Sequence, residues 1–396
     1  MGKSSQQLYA QFLYKIAMIK AQSKATVSVG VFCPPLLMSG SSLEEIRNIW
    51  YGEFKYVSGM VFQASNFADV ADTWGIGFTI WNNGKQSSRE VVAVAKDIDT
   101  DTFGIRRLSD KTIYEPTYRA SDWVRELGGV KSAIDAPQLG SAVVVKDDGR
   151  GKLVEGALGY MTSVSNNLYK SNEGVFITSS CSSMANGFSI LPVNFRRCIA
   201  LFAARKTVAS DWLNWQDEYL VPHAADPSSP LNVRYEQWVN DALVYALFNS
   251  KSNQSSLRDV KYHSKTWQIK NHFFFMSAKE MKDLADKANF QEMYADAKAY
   301  GEDSYVYKQL ASTTLSDDAK AVLEAARSLV RSSMAMRKIW HSDHPEHHLQ
   351  AWDQGWAAMK PMFKACHKGL YDQFVTTYKS FERRMQKGVY EYGFLR

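Results

Sequence analysis

Long unbroken apolar runs are missing from this chain. No stretch approaches the roughly 18 residues that a membrane-spanning helix needs, so no membrane partner is expected. Cysteine is scarce: Cys33, Cys181, Cys198 and Cys366 are the four present, and no two form a Cys-x-x-Cys pair. That spacing argues against a structural zinc site and against a disulfide scaffold, and it suits a reducing compartment. No block of one charge sign occurs, which excludes a basic or acidic tail. The start, Met1 to Gln7, is polar and lacks the apolar segment of a secretory signal. Three catalytic signatures are also absent: a phosphate loop ending in Gly-Lys-Ser/Thr, a Gly-x-Gly-x-x-Gly turn between a strand and a helix, and a Gly-x-Ser-x-Gly elbow. Gly75-Ile76-Gly77 lies inside a strand pattern and does not serve as the second of these.

What is present is ample for two or three globular domains. The chain has 396 residues, 45% of them apolar, with 11 Trp, 20 Tyr and 20 Phe. Most of these rings must fill cores, although an exposed few would suffice to stack on nucleic-acid bases. Forty-seven basic residues against 41 acidic ones leave a net charge of +6, a mild excess compatible with a polyanionic partner.

Residues 1–85 read as alternating helix and strand. Ser4-x-x-Gln7 is a capping box ahead of Leu8, Phe12, Leu13, Ile16 and Ile19, which share a helical face. Thr26 to Phe32 is a buried strand pattern stopped by Pro34-Pro35. Ser42-x-x-Glu45 opens a second helix through Ile46 and Ile49. Lys55–Phe62 and Trp74–Trp81 are two further strands, the latter closed by Asn82-Asn83-Gly84. This layering is α/β, with only about half of a doubly wound sheet. Residues 86–275 are mixed, with strands at Val91–Ala95, Ala142–Val145 and Val175–Thr178, a polar loop from Ser179 to Asn186, and helical spacing over Tyr235–Phe248. Residues 276–396 are helical: Ser277-x-x-Glu280 is another capping box, Asp317–Trp340 is strongly periodic, and a last helix runs from about Ala351 to Tyr390, with a break expected near Pro361.

His341, His344, His347 and His348, with Asp343 and Glu346, are a set that imidazole and carboxylate ligation would suit. Their spacing is not a standard zinc pattern, and a polar inter-helix loop broken by Pro345 is the favoured reading. Two basic groupings suit phosphate contact: Arg196, Arg197, Arg205 and Lys206 around the apolar Ile199–Ala203, and Lys261, His263, Lys265 and Lys270 interleaved with Tyr262 and Trp267. A solvated charged face is the alternative for both.

Several segments, in order, carry a resemblance. Ser4–Ile16 resembles the helix after the catalytic Asn-Pro-Pro-Tyr motif of gamma-class N6-adenine DNA methyltransferases. Val29–Pro35 is similar to that family's next strand and strand-end loop. Phe62–Phe67 followed by Trp74–Trp81 is similar to its final catalytic-domain hairpin. Further on, Phe195-Arg196-Arg197, Asp211–Leu220 and Val389–Leu395 resemble the C-terminal region of large restriction–modification methylases. The family's Asn/Asp-Pro-Pro-Tyr/Phe motif is nevertheless absent: Cys33-Pro34-Pro35-Leu36 has neither its amide or carboxylate nor its aromatic. The Gly-rich cofactor loop is absent too.

The resemblance implies a fold and a role. The fold is a partial methyltransferase Rossmann-like sheet over 1–85, a mixed α/β target-recognition region over 86–275 and a helical domain over 276–396. The role is the base-pocket and DNA-reading half of a site-specific adenine methyltransferase. S-adenosylmethionine and the catalytic motif would come mainly from a front half that is deleted, split off into a separate partner chain, or lost by degeneration. Double-stranded DNA is the expected partner, and a prokaryotic or phage-type cytoplasm the expected location. Such chemistry requires the adenine to leave the duplex. An aromatic in the loop near Phe67 would form a wall for the extruded ring, with an ordinary strand-end Phe as the alternative. Trp74 is a second candidate, with core packing favoured, and Asn66 a third, with a turn role favoured. The resemblance places Arg196, Arg197, Arg205, Lys206, Lys261, Lys265 and Lys270 in the DNA-reading region. A non-catalytic DNA-binding specificity module, or a structural protein resembling the family by accident, would account for the same residues differently.

Overall fold

The computed structural model describes residues 2–23, 26–99, 101–129, 133–139, 145–146, 151–163, 165–169, 174–180, 187–249, 255–294, 302–347 and 349–396. The first part is built from α1 (Leu8–Gln22), β1 (Ser28–Cys33), α2 (Leu36–Ser39), α3 (Glu44–Glu53), β2 (Phe54–Gln63), β3 (Gly75–Asn83), β4 (Glu90–Ile98) and β5 (Ile105–Tyr114). The five strands form one sheet in the order β1-β3-β2-β4-β5. β3 runs antiparallel to both β1 and β2, so those two are parallel to each other with β3 inserted between them. The β1–α3–β2 stretch is thus a crossover of the kind that links parallel strands. β2 and β4 are also parallel, while β4 and β5 pair as an antiparallel hairpin.

The period-two alternation of the strands decides which side is covered. Ala10, Leu13 and Ala17 of α1 and Ile46 and Trp50 of α3 bury one face together with Cys33, Val61, Trp81, Val91, Ala93 and Ile113. On the opposite face Phe32, Ile80 and Val92 are exposed and Phe78 is half-buried. Leu8, Phe12 and Ile19 line the outer side of α1 and are 81%, 62% and 57% exposed. The helix is therefore apolar on two sides, and only one of them is used within the described residues.

Several expectations shift in detail. The sheet runs past residue 85 to Tyr114, and β5 was not anticipated because Arg106, Arg107, Asp110 and Lys111 break the apolar alternation of a solvated edge strand. Ser4 does not cap α1: it lies in a preceding 3-10 turn, fully buried, and its hydroxyl donates to Ser42 O at 3.0 Å. α3 likewise starts after Leu43 without a side-chain cap, so Ser42 is not its N-cap. Ser277 does cap its helix, accepting from Glu280 N at 3.0 Å.

Most of the remaining described elements share one core. α4 (Ala120–Arg125), an antiparallel three-stranded sheet of Phe176–Thr178, Gly159–Thr162 and Gly187–Ile190, and helices Phe195–Thr207 and Asn232–Asn249 pack with the C-terminal helices Ala278–Lys287, Tyr305–Ser312, Asp317–Asp343, Trp356–Cys366 and Lys368–Glu391. Phe195, Trp238, Phe248, Leu329, Trp356, Phe374 and Phe394 all belong to this core, so a boundary at 276 passes through it. Pro361 sits inside the helix Trp356–Cys366, and the break falls at His367 (φ −139°, ψ 46°) instead of at the proline. Residues 140–144 and 181–186, parts of the expected strand at 142–145 and of the polar loop, lie outside the described residues. No helix among the described residues is long and apolar enough to cross a membrane.

Candidate functional site

The parallel pair β1 and β2 ends on the same side of the sheet, since Cys33 and Val61 both register with Gly77 of β3. In open α/β sheets the carboxyl ends of parallel strands are where ligands meet the fold. Each of these ends carries aromatics. Phe32 lies at the end of β1. Beyond β2, a 3-10 turn (Ala64–Asn66) delivers Phe67, whose N–H donates to Ala64 O at 3.0 Å. Ala64 N in turn donates to Trp74 O at 2.8 Å and Gln63 Nε2 to Asp72 O at 3.1 Å, closing the β2–β3 loop onto itself.

Phe67 and Phe32 are each 52% exposed and lie 5.8 Å apart between ring centroids. Phe67 also meets Phe62 edge-on at 5.6 Å, and Phe32 meets Phe78 at 4.7 Å. The cluster is anchored from below and open above, as a stacking wall requires. Beside it, Asn66 Nδ2 is shielded from solvent and has no hydrogen-bond partner.

The neighbouring strand-end loop is held by contacts the sequence did not advertise. Arg47 of α3, fully buried, donates to Leu37 O (3.1 Å) and Gly40 O (2.8 Å) and pairs with Glu115 Oε1 at 2.5 Å. A lone Arg in an amphipathic helix reads as a surface residue, so only the fold exposes this role. Cys33, which begins the loop, is buried, and burial pushes its thiol up to about 12. It is therefore a packed apolar group and not a nucleophile.

Trp74 is 38% exposed and stacked on Trp215 at 5.8 Å with an interplanar angle of 8°. One of its faces is thereby taken by the 211–217 segment. β3 begins hard against that segment, since a Cβ on Gly75 would lie 2.3 Å from Trp212 O. Trp74 accordingly joins the sheet to the 211–217 segment, whose Trp212 packs against the sheet's own core.

The expected DNA-contacting cations are spread over two places. On helix Phe195–Thr207, Arg196 pairs with Glu236 at 2.6 Å, and Arg197 pairs with Glu126 at 3.0 Å while its guanidinium lies over Trp123. Arg205 is fully buried, donates to Ser163 Oγ at 2.5 Å, and is brought down to about 10 chiefly by desolvation. A surface phosphate contact is closed to it, because the apolar face of the helix turns it inward. Lys206 is half-buried. The second group lies on the hairpin Leu257–Tyr262 and Lys265–Ile269: Lys261 donates to Thr266 Oγ1 at 2.7 Å, Lys265 is exposed, and Lys270 pairs with Glu302 at 3.2 Å. Tyr262 of this hairpin is buried, whereas Trp267 is half-buried.

The histidine cluster forms a ring stack. Trp340 lies 4.0 Å from His344, and His344 lies 5.7 Å from His347. No grouping of His, Cys, Asp and Glu able to hold a metal occurs among the described residues, and His348 lies outside them.

A scan against protein-family models, a search of curated proteins and a search of solved structures each return no match to this chain.

Proposed function

We propose that this chain is the base-pocket and DNA-binding half of a site-specific N6-adenine DNA methyltransferase. The observation that supports this reading most is the half-exposed Phe67–Phe32 cluster, with the unpartnered Asn66 amide, at the carboxyl ends of two parallel strands. An extruded adenine laid on these rings gains stacking on one face. The sheet also has the form of an unfinished α/β layer: β1 is an edge, one sheet face is apolar and exposed, and α1 carries a second apolar side. Three of the sheet's four neighbouring strand pairs are antiparallel, and such sheets can leave one face to solvent, so the open edge and the second apolar side of α1 carry this point more than the open face does. A partner supplying further strands and helices would complete this one.

The residues present do not fit S-adenosylmethionine. The strand-end loop offers a buried thiol and two prolines where the resemblance calls for an amide or carboxylate and an aromatic, and the sequence has no Gly-x-Gly-x-x-Gly pattern to cradle the cofactor. No methyl-transfer step is therefore assigned to this chain, whose own work is to bind DNA and hold a base. The same lack of donors favours a second reading, a DNA-binding specificity module without catalysis.

The test is binding to a duplex that carries 2-aminopurine opposite an abasic site, where the base is already unpaired. Phe67→Ala should weaken binding and reduce quenching of the base, by roughly 5- to 150-fold in affinity if stacking is worth ~1–3 kcal/mol. Equal affinity in wild type and variant, with the far-ultraviolet circular dichroism unchanged, removes the base-pocket reading. Weakening as salt rises is expected for both readings, and a flat response removes phosphate contact from either.

A further inference from the structure

Where the sheet meets the second core, the α2–α3 connection faces α4 and the segment after Thr162 across a cavity of about 390 Å³. Its walls include Ser41, Ser42, Arg119, Arg125, Ser163 and Asn166, and no aromatic ring is among its lining residues. Arg119 is pinned by a backbone bridge to Leu220 and precedes α4 in extended conformation. Its Nε and Nη2 are shielded from solvent and have no hydrogen-bond acceptor. The nearest carboxylate oxygen, Glu218 Oε2, lies 3.6 Å from Nε, beyond hydrogen-bond reach, and is already taken by Asn166 Nδ2 at 2.8 Å. A buried guanidinium edge left without acceptors is costly, and the residue that carries it lines this polar cavity.

The charge balance favours an anion. Arg119 and Arg125 line the cavity together with Asp122 and Glu218, and Arg47 and Arg205, which do not line it, also act on the Glu218 carboxylate. Glu115 is shared by Arg47 and Arg89, and Asp122 faces Arg125 at 3.4 Å. Arg205, behind the wall, orients Ser163 Oγ. Planar guanidinium donors flanked by hydroxyls match the tetrahedral oxygens of a phosphate, and the absence of rings leaves nothing to read a base.

We propose that this cavity is a phosphate-binding site, with the guanidinium of Arg119 as its principal donor and the rim hydroxyls of Ser41 and Ser42 as its mouth. The phosphate has two possible sources: the DNA backbone or a free phosphate-bearing small molecule. The site lies apart from Phe67 and does not rest on the base-pocket reading.

The experiment is calorimetric titration of the whole chain with inorganic phosphate and, separately, with a short DNA duplex, using wild type, Arg119→Met and Ser41→Glu. The second variant places a negative charge at the exposed rim without touching the buried network, so it tests the site even if the first fails to fold. Both variants should lose at least about tenfold in affinity for whichever probe binds, as expected for a lost charge-assisted contact. If the duplex is the ligand, Arg119→Met should also lower the salt slope by about one. Loss confined to the duplex assigns the phosphate to the DNA backbone, whereas loss of inorganic phosphate binding assigns a small anion. Wild-type affinities in both variants, or no binding of either probe by the wild type, overturns the proposal.

Discussion

Replacing Arg47 with methionine removes one buried cation and leaves the surrounding sterics nearly intact. Three acceptors lose the guanidinium at once: Leu37 O, Glu115 Oε1 and Gly40 O, the last keeping the Leu43 N–H at 3.2 Å. Breaking a buried ion pair by removing one member costs about 3–5 kcal/mol. Arg89 remains on Glu115 Oε2 at 2.9 Å, so the lower end of that range, about 3 kcal/mol, is expected. Urea unfolding followed by tryptophan fluorescence reads the loss directly, since Trp50 and Trp81 lie in the same core and meet edge-on at 5.9 Å. The pH dependence supplies a second readout. Burial opposes the Glu115 carboxylate, but Arg47 and Arg89 outweigh it and hold its pKa below the ordinary value. A lowered folded pKa gives stability that is complete above the unfolded value, about 4.3, and is lost as pH falls through the folded one. Arg47→Met should therefore shrink the acid-side loss of stability. A destabilisation below about 1 kcal/mol, the ordinary size for a surface change, would refute the assignment of Arg47 as the clasp of the strand-end loop.

Other consequences are as direct. Burial pushes Asp353 up to about 6 against the hydrogen bonds of Ser256. Its contribution is full below an unfolded value of about 3.9 and is lost as pH rises through the folded one, so wild type should weaken relative to Asp353→Asn between about pH 4 and 6. A gap between the two urea midpoints that stays constant across that window speaks against it. Pro361→Ala restores an N–H inside the helix Trp356–Cys366 and should stabilise by about 1–2 kcal/mol, the helix gain being partly offset by a freer unfolded chain; a lowered urea midpoint contradicts this. Ser277→Ala should cost about 1 kcal/mol through its lost cap, and an unchanged midpoint denies the cap any role. Iodoacetamide on the native chain should modify the half-buried Cys366 and spare Cys33 and Cys198, as peptide mapping would show, whereas labelling of Cys33 contradicts its burial.

The strands at 28–33, 54–63 and 75–83 were legible because β-branched and aromatic runs end in prolines, asparagines and glycines. The strand at 105–114 was not, because an edge strand facing water owes its pairing to backbone and not to apolar alternation. Ser277 could be read as a cap from local spacing alone. Ser4 could not, since tertiary packing turns its hydroxyl toward Ser42 O and the helix begins later. The aromatics near Phe67 were visible as candidates, but their openness depends on which sheet face the helices cover. Arg205 and Arg119 mark the limit of local reading. Arg205 follows an apolar run and Arg119 sits in a short polar connection, and neither context tells that the fold buries one entirely and leaves the other with unanswered donors.

The chain's last residues are woven into its middle. Phe394 and Leu395 are buried, Leu220 N donates to Phe394 O at 2.9 Å, and Arg396 pairs with Glu90 of β4. Contacts this far apart in sequence make for slow folding. During synthesis the segment around Leu220 has no Phe394 to bond, and the ring of Trp238 waits for the same residue to fill the space beside it. Until Phe394 has been synthesised, the larger core must stay incomplete on the ribosome, with apolar surface open to chaperones.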